Sequence, residues 1–73
     1  ENRMSIGLTN RLKQYRTQAG LTQADLAEQV QVSRKSINTI ENSVFVPSTI
    51  LALRIAKALG ISVHDLFQLA EDD

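Results

Sequence analysis

Four polar side chains within one short segment carry the chemistry of this chain: Arg34, Lys35, Asn38 and Thr39. Arginine presents a planar fork of donors that matches guanine O6 and N7, and lysine reaches the same atoms singly. Asparagine can pair with the N6 and N7 of adenine, and the threonine methyl can pack on that of thymine. The apolar pattern of the segment is carried by Ile37 and Ile40, so none of the four polar residues is needed for a core. They form a set able to read base edges. The plain alternative is a solvated helix face.

The surrounding stretch, LTQADLAEQVQVSRKSINTIE from Leu21 to Glu41, explains how such a set would be presented. Leu26, Ala27 and Val30 share one face of a first helix, Ile37 and Ile40 share one face of a second, and Val32 lies in the turn between them. Apolar residues thus fall only where two helices would touch. That is the layout of a helix-turn-helix, whose second helix can lie in the major groove.

Five helices and no strands are readable. Leu8, Leu12, Tyr15 and Ala19 follow helical spacing, with Gly20 as a stop. Thr22 with Asp25 forms a capping-box start, and Ser33 suits the N-cap of the next helix. Residues 42–47 read as a loop, because Pro47 biases Val46 away from helix. Ser48 can cap a fourth helix bearing Leu51, Ala52, Ile55, Ala56 and Leu59, ended by Gly60. Ser62 with Asp65 starts a short fifth helix carrying Val63, Leu66 and Phe67. The expected fold class is all-α, a compact five-helix bundle. Connections are short, so residues 1–73 are expected to form one domain, with a core over about 8–69. Residues 1–4 and 71–73 are expected to be flexible. Glu1, Asn2 and Arg3 precede Met4 and read equally as native or as added residues.

A chain of 73 residues buries only ~60% of its unfolded surface and is marginally stable alone. It contains no cysteine and one histidine, so neither a disulfide nor a thiolate or His-based metal site is expected. His64 reads as a solvated first-turn residue. No paired carboxylates, nucleophile-base set or glycine-rich phosphate loop is present, so no catalytic residue, cofactor or small-molecule ligand is expected. No apolar run approaches the ~18 residues of a membrane span. Net charge is zero, but the charges are unevenly placed. Arg3 to Ile40 holds six bases against two acids, while Asn42 to Asp73 holds two bases against four acids. A basic face toward phosphates remains available.

GLTQADLAEQVQVSRKSINTIE, then Pro47-Ser48, then LALRIAKALGISVHDLF, resembles the Cro and phage-repressor (XRE-like) family of bacterial helix-turn-helix regulators, small stand-alone type. The likeness runs from Asn10 to Leu69. It implies the lambda-repressor-like fold and sequence-specific binding of double-stranded DNA by a transcriptional regulator. The implied regulator is a repressor in the cytoplasm, bacterial or phage-derived and nucleoid-associated when bound. It implies base contacts from Arg34, Lys35, Asn38 and Thr39. It implies phosphate contacts from Gln23, Ser33, Ser36, Asn42 and Ser43, with Gln23 also buttressing the recognition helix. Arg16 and Glu41 match a structural ion pair tying the first helix to the end of the recognition helix. Two positions depart from the pattern: Gln31 and Ser43 stand where relatives most often have Gly, at sites that favour positive φ.

Apolar residues also exceed what one core can bury. Val44, Val46, Ile50 and Leu53 make a candidate homodimer interface, while Phe45 is expected in the core. A dimer would set two recognition helices ~34 Å apart on a near-palindromic operator. Two other functions share this fold: an antitoxin that binds its operator and a partner toxin, and a protein-interaction module without DNA binding.

Overall fold

The computed structural model describes residues 7–70. The chain order is β1 (Leu8–Asn10), α1 (Leu12–Gln18), α2 (Gln23–Val30), α3 (Arg34–Glu41), α4 (Thr49–Leu59), α5 (Val63–Leu66) and β2 (Phe67–Leu69). The expectation of flexible termini falls on residues 1–4 and 71–73, outside the described residues.

Hydroxyl caps set the helix starts. Thr22 Oγ1 accepts from Asp25 N, and the Asp25 carboxylate accepts from Thr22 N, so the reciprocal capping box is complete. The backbone N–H of Thr22 and, next, its hydroxyl hold the Asp25 carboxyl below its ordinary value of 3.8. The cap is therefore fully formed above that value and is lost as pH falls through the lowered one. Ser33 accepts from Ser36 N and Ser48 from Leu51 N. Ser62 accepts from Asp65 N to start α5.

The core consists of Leu12, Leu26, Ala27, Val30, Ile37, Ile40, Ile55, Ala56 and Leu66. Every helix contributes at least one of these. Ala27 is buried between α2 and α3, where a small side chain lets the helices approach closely.

Four expectations are corrected. The reading of no strands fails: β1 and β2 pair antiparallel, with Leu8 opposite Leu69 and Asn10 opposite Phe67. Three-residue strands are too short to show an alternating pattern, and their partners lie near opposite ends of the chain. The first helix consequently starts at Leu12, and Leu8 belongs to β1. Phe67 likewise leaves the α5 pattern to open β2. Phe45 is 45% exposed and stands outside the core.

Asn10 joins this small sheet to the helices. Its Oδ1 accepts from Leu12 N at 3.0 Å at the start of α1, and its Nδ2 donates to Ile40 O at 2.9 Å near the end of α3.

Gln31 ends α2 at φ 63°, ψ 45°, in the left-handed region. A side chain with a Cβ is strained there by ~1–2 kcal/mol. Gln31→Gly should therefore stabilise the fold by about 0.5–1 kcal/mol, the relief of strain exceeding the extra freedom of glycine when unfolded. A thermal melt should rise by a few degrees, and a fall would contradict the strain at this turn.

Candidate nucleic-acid interface

Helices α2 and α3 pack through Leu26, Ala27 and Val30 against Ile37 and Ile40, all buried. Once these apolar positions face inward, the helical period turns Arg34, Lys35 and Asn38 outward, and all three are exposed. Ser36 and Thr39 are half-buried at the edge of that face. Arg34 and Lys35 make no side-chain hydrogen bond or ion pair among the described residues. Both heads are free to meet a partner.

The other polar side chains are tied into the fold. Thr39 Oγ1 donates to Ser36 O at 2.9 Å, so its hydroxyl can offer a partner only acceptor capacity beside its methyl. Ser33 Oγ lies 3.0 Å from Ser36 Oγ. Asn42 turns its amide nitrogen back onto Asn38, 3.0 Å from the backbone carbonyl and 3.3 Å from Oδ1. Asn42 N donates to Asn38 O and Ser43 N to Ile40 O. The Ser43 hydroxyl is the uncommitted donor of that pair. Ser43 adopts φ 60°, so the chain leaves α3 through a left-handed turn although the residue is not glycine.

Beneath this surface lies a chain of polar contacts. Arg16 Nε donates to Glu41 Oε2 at 2.6 Å, and Arg16 Nη2 lies 3.4 Å from Glu41 Oε1. The two side chains are only 10% and 4% exposed. Arg16 Nη1 donates to Leu21 O at 2.8 Å, which secures the turn leading into α2. Gln23 Nε2 donates to Glu41 Oε1 at 3.0 Å and to Asn38 Oδ1 at 3.1 Å. Both amide hydrogens of Gln23 are therefore taken inside the protein. A phosphate accepts and does not donate, so the group that Gln23 has left for one is its backbone N–H in the first turn of α2. The sequence marked Gln23 and Glu41 separately. The bond between them was not foreseen, because they are 18 positions apart and only the crossing of α2 and α3 brings them together. Asn10 was likewise not singled out. An Asn just before an apolar run is a capping signal, but nothing local points to Ile40.

An open groove runs between the α1–α2 turn and the start of α3, lined by Thr17, Leu21, Thr22, Gln23, Ala24 and Arg34. The amide end of α2 and a free guanidinium thus converge on one surface, the combination that suits an anionic strand. Val44, Val46, Ile50 and Leu53 lie in and after the α3–α4 loop, 71%, 48%, 65% and 52% exposed. No group of His, Cys, Asp and Glu able to hold a metal occurs among the described residues. No helix there is long and apolar enough to cross a membrane.

Two helices crossing on an apolar seam, a tight left-handed turn and an outward polar second helix define a helix-turn-helix domain. The helix-turn-helix family model matches residues 12–66. An HTH-type transcriptional regulator of Methanocaldococcus jannaschii is 46% identical over 66 residues, covering 90% of this chain and 98% of that protein. The HTH-type regulator YgzD of Bacillus subtilis is 38% identical over 66 residues, covering 90% of this chain and 100% of that one. The structure of SinR, a master regulator for biofilm formation, in complex with DNA superposes with a TM-score of 0.69. It is 33% identical and covers 74% of this chain and 87% of SinR. The chain belongs to the XRE-type helix-turn-helix family of DNA-binding transcriptional regulators.

Replacing Arg16 by Met would leave the Glu41 carboxylate buried without its cation. The expected loss is ~3–5 kcal/mol, a large share of the stability of so small a domain. Urea unfolding of Arg16→Met measures it, and a midpoint equal to the parent's would show the pair to be dispensable.

Proposed function

We propose that this protein is a repressor that binds a near-palindromic operator as a homodimer, with α3 in the major groove of each half-site. The observation that carries this reading is the outward face of α3, where Arg34 and Lys35 are exposed and unpaired beside the amide end of α2. Arg34 pairs with guanine, Lys35 reaches a neighbouring base edge, and Asn38 and Thr39 read bases further along the helix. Phosphates are held by the Ser43 hydroxyl, by the one hydroxyl hydrogen that the Ser33–Ser36 pair leaves free and by the backbone N–H of Gln23, while Asn42, whose N–H groups are all spent on Asn38, supports that residue. The site works in the cytoplasm, where the operator lies. The segment acts as one domain, and repression follows from competition with polymerase for the same stretch of duplex.

The dimer is supported by the apolar surface. Ile50 and Leu53 lie one turn apart on the exposed side of α4, and Val44 and Val46 are exposed in the loop that leads into it. Four large apolar side chains exposed within ten residues of one another on a chain of this size point to an interface. A two-fold axis through it would place two α3 helices about one turn of DNA apart, ~34 Å.

Selection of bound sequences from a random DNA pool tests the operator. The expected result is an enriched near-palindrome whose affinity falls steeply with salt. Arg34→Ala should cost about 1–3 kcal/mol and relax preference at one base per half-site, leaving the others unchanged. A uniform loss at all positions would reassign Arg34 to phosphate.

Sedimentation tests the dimer. Ile50→Glu should convert a concentration-dependent dimer to a monomer with an unaltered melting profile in the dilute regime. A wild-type mass that stays monomeric well above micromolar would remove the homodimer and leave a foreign partner protein as the occupant of the patch.

A further inference from the structure

Among the exposed residues within α3, Asn38 differs from Arg34 and Lys35 in having its side chain already held by others. Its Oδ1 accepts from Gln23 Nε2 at 3.1 Å and from Asn42 Nδ2 at 3.3 Å. An amide oxygen has two lone pairs, and both are engaged. Its Nδ2 donates to nothing among the described residues, and the residue is exposed. The amide is thus held with its oxygen inward and its two N–H groups outward.

The orientation follows from chemistry at the buried end. Arg16 is a donor without acceptors, and it faces the Glu41 carboxylate, an acceptor without donors. Glu41 can receive only an N–H from Gln23, so the Gln23 amide must turn its nitrogen inward. The second hydrogen of that nitrogen points at Asn38 and requires an oxygen there. Each link forces the next, from a fixed positive charge to the outward face of the recognition helix.

We infer that Asn38 is a donor-only specificity determinant, oriented by Gln23, that selects a keto base and does not read adenine. This rests on the DNA-binding reading above and refines it. Recognition of adenine by Asn needs an N–H donor for N7 and an oxygen acceptor for the N6 amine. The oxygen is occupied, so that bidentate pair is closed to Asn38. Guanine offers O6 and N7 and thymine offers O4, all acceptors; adenine sets its single N7 acceptor beside an N6 donor that opposes the outward N–H groups, and cytosine presents only a donor in the major groove. The base opposite Asn38 is therefore guanine or thymine, with guanine favoured by its two acceptors. Gln23 acts here as a positioning residue: it sets which face of the Asn38 amide the DNA meets.

Two measurements test this. In the free protein, nitrogen-edited NMR should show slow solvent exchange for the side-chain amide protons of Gln23 and fast exchange for those of Asn38. The reverse order would overturn the orientation, whatever the protein does with DNA. Sequence selection then supplies the specificity. Asn38→Ala marks the position that Asn38 reads, and the unaltered protein should hold guanine or thymine there. In Gln23→Met, which keeps the side-chain length but removes both N–H donors, Asn38 is free to turn over, and adenine at that position should gain about tenfold. A purely structural Gln23 would weaken all sequences alike. Adenine at the marked position in the unaltered protein, or an unchanged preference there in Gln23→Met, overturns the inference. Absence of any enriched sequence for the unaltered protein overturns the DNA-binding reading and the base assignment, while the exchange measurement still reports the amide orientation.

Discussion

The arrangement of this domain depends on one buried carboxylate. Glu41 sits in the last turn of α3 with its side chain almost fully covered, and it receives Arg16 from α1 and Gln23 from α2. Removing a carboxylate from water is costly unless it is paired and hydrogen-bonded. Both of its oxygens are engaged, so the cost is met by directional contacts to two other helices. The apolar seam of Leu26, Ala27, Ile37 and Ile40 holds α2 and α3 together but has little directional preference. Hydrogen bonds are directional. Glu41 thereby fixes how far α3 is rotated about its own axis, which decides where Arg34, Lys35 and Asn38 face.

The same logic extends to the ends of the recognition helix. Ser33 caps its start. Asn10 grips the Ile40 carbonyl near its end, and the chain then turns away through Ser43 in a left-handed conformation. The N–H groups of Val44 and Phe45 both return to the Thr39 carbonyl. A helix of eight residues is too short to be stable in isolation, so these terminal contacts and the core are what keep it formed. The antiparallel pair β1 and β2 contributes at a distance, because it fixes Asn10 in place. A rigid helix presents its side chains with less loss of freedom on binding than a mobile one.

Much of the fold was legible in the residues. The 3.6-residue spacing of Leu26, Val30, Ile37 and Ile40 marked the two helices of the motif. Thr22, Ser33, Ser48 and Ser62 marked four helix starts, because a hydroxyl before an apolar run has an immediate use for the orphan amides. The positive φ at Gln31 was implied by the resemblance, because relatives most often carry Gly at that turn position. The strands were not legible, since three residues leave no period to detect. Phe45 was misplaced because an aromatic side chain in a loop can fold inward or stay out with the same local sequence, and packing alone chooses.

By itself the sequence determined the helices, their caps and the division of α3 into an apolar and a polar face, because all of these depend on residues three or four positions apart. Only the tertiary structure decided what the polar residues can do. Gln23 and Asn38 are 15 positions apart, and Arg16 and Glu41 are 25 apart. The hydrogen-bond direction running from Arg16 through Glu41 and Gln23 to Asn38 exists only once three helices cross. A side-chain amide carries both a donor and an acceptor, and its sequence position does not say which of them faces out. The fold makes that choice by filling one end of the amide from within.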